Sequence, residues 1–235
     1  MSAIYKREMR AYFTTFIGYA FIAAFLVLSG IIFAQTVLSS DGSTTIMDYY
    51  VNVISFLAIV IPILTMKLFT DEKRLKTEAL LLSSPVSLFG VVMAKYLAAL
   101  TMFAATFAVS CVNLIPAYAH GSQNTAVIIT NIVSVLLVGG AFIAIGVFIS
   151  SLTENQIVSA ISTIAVIMLF NSIGDYSAKI KFAPLRIFLN FFSISNRYTM
   201  FTYGRIDWAA IVYYASLSFV FLFLTVRIYE RRRWA

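Results

Sequence analysis

Few residues in this chain have types and spacings that do chemistry. His120 is its only histidine and Cys111 its only cysteine. A zinc site needs several Cys, His or carboxylate ligands that converge at set spacings, and the sequence has no such cluster. His120 stands beside Gly121 in a polar turn and reads as a loop residue. Cys111 lies in an apolar run, where a thiol packs rather than reacts. Serines are many, but a nucleophilic serine needs a base within hydrogen-bond reach, and no histidine falls inside an apolar segment. Gly174-Asp175 is half of an intramembrane aspartyl-protease motif; Ser172 stands where the other glycine belongs, and no partner aspartate lies within another apolar segment. No G-x-x-x-x-G-K-[ST] phosphate loop occurs. The chain is therefore expected to be no enzyme, with no catalytic, cofactor-binding or metal-ligating residues. If it runs on ATP, another polypeptide supplies the engine.

The polar residues left inside apolar stretches are uncharged: Gln35, Asn52, Asn113, Asn131 and Asn171. On a helix Asn52, Ser55 and Ile59 share one face, as do Asn131 and Ser134. Two readings fit them. They hydrogen-bond between helices, at about 0.6–2 kcal/mol each, or they line a substrate path. Ionisable groups deep in a bundle mark proton and ion pathways, and their absence mid-segment argues against proton-coupled transport.

The elements that position these residues follow from composition. Of the 235 residues 61% are hydrophobic and 11% charged, with a mean hydropathy of +0.91. Soluble domains are nearer half apolar and a quarter charged, so this is a membrane composition. It excludes a disordered chain, and the single cysteine excludes a disulfide scaffold. A helix crossing about 30 Å of hydrocarbon needs roughly 20 apolar residues. Six segments qualify, at 13–38, 49–67, 96–119, 125–152, 157–173 and 208–226. The first is too long for a signal-peptide core and is expected to be a retained span. The fold class expected is an all-α membrane protein of six transmembrane helices.

Lysine and arginine placement orients them. Lys6, Arg7 and Arg10 precede the first span; Lys67, Lys73, Arg74, Lys76 and Lys95 surround the 68–95 connection; Arg227, Arg231, Arg232 and Arg233 end the chain. The 39–48 and 120–124 connections have none. Both termini and the 68–95 segment are thus expected in the cytoplasm, in a multi-pass protein of the inner (plasma) membrane. The outer segment 175–207 runs against the rule with Lys179, Lys181, Arg186, Arg197 and Arg205. The net charge of +7 reads as topology and attraction to anionic lipid, not as nucleic-acid binding.

Between spans two and three, Thr70 or Asp71 can cap a helix, acids fill its first turn, and Pro85 ends it. Leu75, Ala79 and Leu82 fall on one stripe. This predicts an amphipathic helix on the inner face, either a simple tether or a docking surface for a cytoplasmic partner. In the 151–156 turn, Ser151 with Glu154 and Thr153 with Gln156 each fit a capping box. Ile4 to Tyr12 is amphipathic as well. Pro62 and Pro116 predict bending within spans two and three.

The sequence resembles the ABC-2 type permeases, membrane subunits of ATP-binding cassette exporters, over nearly its whole length. The resemblance rests on Tyr5-Lys6-Arg7-Glu8-Met9-Arg10-Ala11-Tyr12-Phe13, on Glu72-Lys73-Arg74 followed by Thr77-Glu78-Ala79-Leu80-Leu81 and Ser84-Pro85-Val86, on Gly146 through Gln156, and on Tyr203-Gly204-Arg205-Ile206-Asp207. Together these look most like the gliding-motility-type branch. The resemblance implies one transmembrane domain over 1–235, an N-terminal elbow helix near 2–12, a cytoplasmic coupling helix near 71–83, and a re-entrant outer segment between helices five and six. That segment holds the aromatics Phe182, Phe188, Phe191, Phe192, Tyr198, Phe201 and Tyr203, which suit an interface.

It also implies an exporter subunit driven by a separate ATP-binding subunit, which would carry the ATP and Mg. The further partners implied are a second permease subunit, identical or not, and an auxiliary membrane protein. Substrates across the family include lipids, polysaccharides, peptides and drugs. Partner docking on the coupling helix falls to Glu72, Lys73, Arg74 and Glu78 as polar contacts, with Leu75 and Leu82 as apolar anchors. Asn52, Ser55, Asn131 and Ser134 are the substrate-path candidates. An ATP-independent carrier or channel and a non-transporting membrane scaffold are the competing classes.

Overall fold

Ten helices account for nearly all of the residues described, which in this computed structural model are 1–38, 46–78, 87–119, 125–179, 182, 186 and 193–234. They are α1 (Ser2–Thr14), α2 (Phe16–Phe33), α3 (Ile46–Thr65), α4 (Thr70–Arg74), α5 (Leu88–Ser110), α6 (Leu114–Ala119), α7 (Thr125–Leu152), α8 (Gln156–Lys179), α9 (Ile194–Thr202) and α10 (Trp208–Trp234). Among the described residues six stretches are long and apolar enough to cross a membrane: Phe16–Val37, Ile46–Arg74, Leu88–Pro116, Thr125–Leu152, Gln156–Gly174 and Trp208–Arg233. The number agrees with the sequence expectation. The third begins earlier than expected, because Lys95 lies within α5 rather than before it.

Helices α3 and α7 are the interior of the bundle. In each, 72% of the apolar window is buried, against 22–39% in the other four spans. Helix α7 packs against α10, α3, α8, α5 and α9. Its glycines set the spacing: a Cβ on Gly146 would lie 2.2 Å from Thr65 Oγ1, so α3 and α7 approach more closely than any larger residue permits. Phe25 joins α2 to this core edge-on to Phe56 at 5.3 Å and Phe103 at 6.1 Å. Such tilted pairs place the positive ring edge on a negative face.

The spans depart from regular helix where their sequences require it. Helix α2 continues as a π-helix over Ala34–Leu38, a form that recurs at functional sites. Helix α5 tightens into a 3-10 turn over Cys111–Asn113 before α6. Pro116 follows, and with no N–H of its own it leaves the Val112 carbonyl without the usual donor. Pro62 is buried inside α3, which runs on through it to Thr65.

Helix α1 lies outside the spans and packs on α5 and α2. Its inner face carries Tyr5, which donates to Thr101 Oγ1 at 3.1 Å, and Tyr12, which donates to the Leu64 carbonyl at 3.2 Å. Lys6 and Arg10 face outward. Thr15, extended at φ −110° and ψ 152°, separates α1 from α2.

The stretch expected as one helix over 71–83 is different over its described part. Helix α4 stops at Arg74, and Lys76 takes a left-handed φ of 55°. The Lys76 N–H bonds the Lys73 carbonyl and the Thr77 N–H bonds the Glu72 carbonyl, at 3.0 and 2.9 Å. This is a Schellman close, which calls for a left-handed residue just past the helix. Ala79, Leu80, Leu81, Leu82 and Pro85 lie outside the described residues. The same close ends α9, where Gly204 (φ 75°) supplies the left-handed position and Asp207 then caps α10 through the Ala209 N–H. Of the outer segment 175–207, described residues include Phe182, which is exposed, and α9 with its flanks; Phe188, Phe191 and Phe192 lie outside them.

The two capping boxes expected in the 151–156 turn do not form. Asn155 caps α8 instead, its Oδ1 accepting the Ile157 N–H at 2.9 Å. Gln156 is thereby free to turn toward Asp71, to which it donates.

Candidate functional site

The polar residues concentrate at the end of the bundle that carries both termini. Helix α1 brings Arg7 and Glu8, α4 brings Glu72, and α5 brings Lys95 from two turns inside its start. Lys95 Nζ lies 3.1 Å from Glu8 Oε1 and 3.0 Å from Glu72 Oε1, and donates to the Leu68 carbonyl at 2.5 Å. Arg7 reaches the same two carboxylate oxygens at 2.7 Å each. Two cations and two anions therefore form one closed network. The Lys95 side chain is 1% exposed, and its ammonium also stands 4.9 Å from the centre of the Phe69 ring.

Burial of this kind costs several kcal/mol per ion unless every charge is met and hydrogen-bonded, and here Lys95 meets two carboxylates and a carbonyl. Burial pushes the Glu8 carboxyl up, but the Lys95 charge and the hydrogen bonds from Arg7 and Lys95 outweigh it and hold the group below its ordinary value. Burial likewise works against the Arg7 charge, and Glu8 and Glu72 overcome it, leaving the guanidinium above its ordinary value.

The rest of the 66–78 segment is fastened on its other sides. Lys73 is 7% exposed and donates to the Ser151 carbonyl at the end of α7. Asp71 receives Gln156 from α8 and stands 3.9 Å from Lys67. Glu78 pairs with Arg232 of α10 at 3.0 Å, and Tyr229 packs on Phe69 with ring centres 4.9 Å apart. One short segment thus touches α1, α5, the 151–156 turn and α10.

Of the expected docking residues, Glu72, Lys73 and Glu78 are engaged within the chain. Arg74 and Leu75 point outward, Leu75 at 67% exposure. Leu82 lies outside the described residues. The sequence reading missed Glu8 and Lys95. The available clue was a lone lysine at the edge of the longest uncharged stretch, which an apolar helix tolerates only with a partner.

The four path candidates fall in two places. Asn52 and Ser55 are exposed on α3, their side chains donating back to the Asp48 and Val51 carbonyls at 2.9 and 3.0 Å. They line an open concavity of about 420 Å³ with Gln35 and Thr36 of the π-helical turn, Ile59, and Met168 of α8. Asn131 is buried on α7 and holds α9: it accepts from the Tyr198 hydroxyl at 2.8 Å and donates to the Phe201 carbonyl at 3.3 Å. Ser134 is buried one turn away, its hydroxyl without a hydrogen-bond partner among the described residues. Among the described residues no three His, Cys, Asp or Glu side chains gather as metal ligands.

Comparison with protein families matches residues 34–234 to the model of the ABC-2 family transporter proteins. No curated protein matches the chain. The match spans most of the sequence, and the chain belongs to the ABC-2 transporter family.

Proposed function

We propose that this ABC-2 family protein is the permease subunit of an ATP-binding cassette exporter, with both termini in the cytoplasm and a separate subunit hydrolysing ATP. The family membership and the six apolar helices support the transporter reading. The observation that carries the mechanical part is the 66–78 segment, which presents Arg74, Leu75 and Lys76 outward while Asp71, Glu72, Lys73 and Glu78 grip α1, α5, α7, α8 and α10. A force applied there by a closing ATPase reaches all of these helices at once. In this reading α1 is the elbow helix and 70–78 the start of the coupling element. Arg74 and Leu75 touch the ATPase; Glu72, Lys73 and Glu78 transmit the movement.

The second permease subunit covers the face formed by α2, α3 and α8. Asn52, Ser55, Gln35 and Thr36 lie there within apolar spans, where polar groups facing lipid are costly. A second copy of the face turns the concavity into an enclosed polar path. Asn131 contributes by anchoring α9. A gliding-motility-type auxiliary protein would meet the basic outer segment around Arg186 and Arg205.

The test is co-purification of the tagged chain from its native membranes, followed by ATPase assay. Recovery of an ATP-binding subunit with activity is expected. Arg74→Glu combined with Leu75→Asp should abolish coupled ATPase activity while the permease stays folded. Reproducible recovery of the permease with no ATPase would overturn the reading in favour of a carrier or scaffold.

A further inference from the structure

Away from the termini cluster and the polar concavity, α5, α7 and α10 enclose an apolar groove of about 450 Å³ that opens sideways. Gly140 forms its floor, where a Cβ would come 3.1 Å from the Tyr96 hydroxyl. Phe89, Phe219 and Phe223 stand at its mouth, 53%, 64% and 45% exposed. Phe219 and Phe223 stack with centroids 6.3 Å apart, and the next residue on this stripe is Arg227, whose guanidinium lies 4.9 Å from the Phe223 ring. Arg231 follows one turn later and is exposed. Residues 219, 223, 227 and 231 recur every four positions, so two rings lead to two guanidinium groups along about 18 Å of helix.

We propose that this groove holds one acyl chain of an anionic phospholipid, with the lipid phosphate on Arg227 and Arg231. The leaflet is the one on the side of the termini, cytoplasmic on the topology proposed above. Size and charge both select this occupant. A packed helix about 10 Å wide would fill 450 Å³ within roughly one turn, too little to dock a second copy. A single hydrocarbon chain fits the width and finds an almost wholly apolar wall. The guanidinium pair sits one turn beyond the apolar end, where a phosphate would lie. Arg227 already pairs with Glu230 at 2.8 Å, but that pair is exposed and weak, so a phosphate can take its place.

The experiment uses the purified full chain in nanodiscs with phosphatidylglycerol carrying a photoreactive group midway along one acyl chain. Cross-links are expected on α5 and α10 around Met93 and Leu222, competed by unlabelled phosphatidylglycerol more effectively than by phosphatidylcholine. Ala215→Trp, which fills the groove, should abolish them. Arg227→Gln and Arg231→Gln should each weaken competition about fivefold, the worth of one basic residue at an anionic surface. These two exposed positions keep the test open if the tryptophan variant fails to fold. Labelling spread evenly over the lipid-facing spans, equal competition by the two lipids, or cross-links between two copies through this groove would each overturn the proposal. The labelling needs neither ATP nor a partner subunit, so it succeeds or fails independently of the exporter reading.

Discussion

A single ammonium, that of Lys95, decides how the terminal end of the bundle holds together. It is buried, and its partners Glu8 and Glu72 come from two different helices. Lys95→Met leaves both carboxylates with only the half-exposed Arg7, and removal of one partner from a buried network costs about 3–5 kcal/mol. A loss of that order in thermal unfolding in detergent is expected, and Glu8→Gln in the same chain should recover most of it by restoring one cation against one anion. A Lys95→Met variant as stable as the parent would show that the network contributes nothing.

Glu8 also sets a pH dependence. Its carboxyl titrates below its ordinary value of 4.5 in the folded protein, so the unfolded chain takes up the proton first as pH falls. Its contribution is then complete above about 4.5 and lost as pH drops through the lower folded value. The difference in unfolding midpoint between the parent and Glu8→Gln should therefore be constant near neutrality and shrink in acid. A gap that widens in acid contradicts the assigned direction.

At the scale of elements, helix ends carry the information that hydropathy does not. The α4 and α9 ends use the same Schellman close, one through Lys76 and the other through Gly204. A left-handed conformation costs an L-residue roughly 1–2 kcal/mol that glycine does not incur. Lys76→Gly is accordingly expected to stabilise the protein by about 1 kcal/mol, and Lys76→Val to destabilise it by a similar amount. Chemical denaturation of the two variants checks both signs.

These ends also mark what could be read in the sequence. The six spans were legible because uncharged runs of sufficient length have few alternatives in water or lipid. The start of the third was not, because a rule that ends spans at charges cannot know that Lys95 meets Glu8 and Glu72. Asn155, rather than Ser151 or Thr153, caps α8, and the adjoining Gln156 reaches Asp71 across the bundle, a long-range contact that no local capping pattern reveals. The path candidates separate for a similar reason: helical periodicity placed Asn131 and Ser134 on one face, but only packing reveals that Asn131, with Thr130, meets α9.

For the whole molecule, the unequal burial of its spans points to assembly. α3 and α7 are enclosed, and α2 and α8 leave most of their surface to lipid or to a neighbour. If a second permease covers the α2, α3 and α8 face around a two-fold axis, residues near that axis meet their own copies. With Cys111 replaced by alanine, Met168→Cys should form disulfide-linked dimers in membranes on mild oxidation, and Val212→Cys on α10 should not. Both positions are exposed in the single chain, at 45% and 65%, so access alone does not separate them. The opposite pattern would move the interface to the other side of the bundle.

The three-way meeting at Lys95 has a consequence for biogenesis. Its contributors enter the chain in the order Glu8, Glu72, Lys95, and the last is made after two spans have already been synthesised. Until then the only cation of the network beside the carboxylates of α1 and α4 is Arg7, which is 57% exposed. The buried part of the network that holds the amino-terminal helix is therefore complete only once the third span is in place. Lys95 thus times the closing of this end of the protein as well as holding it.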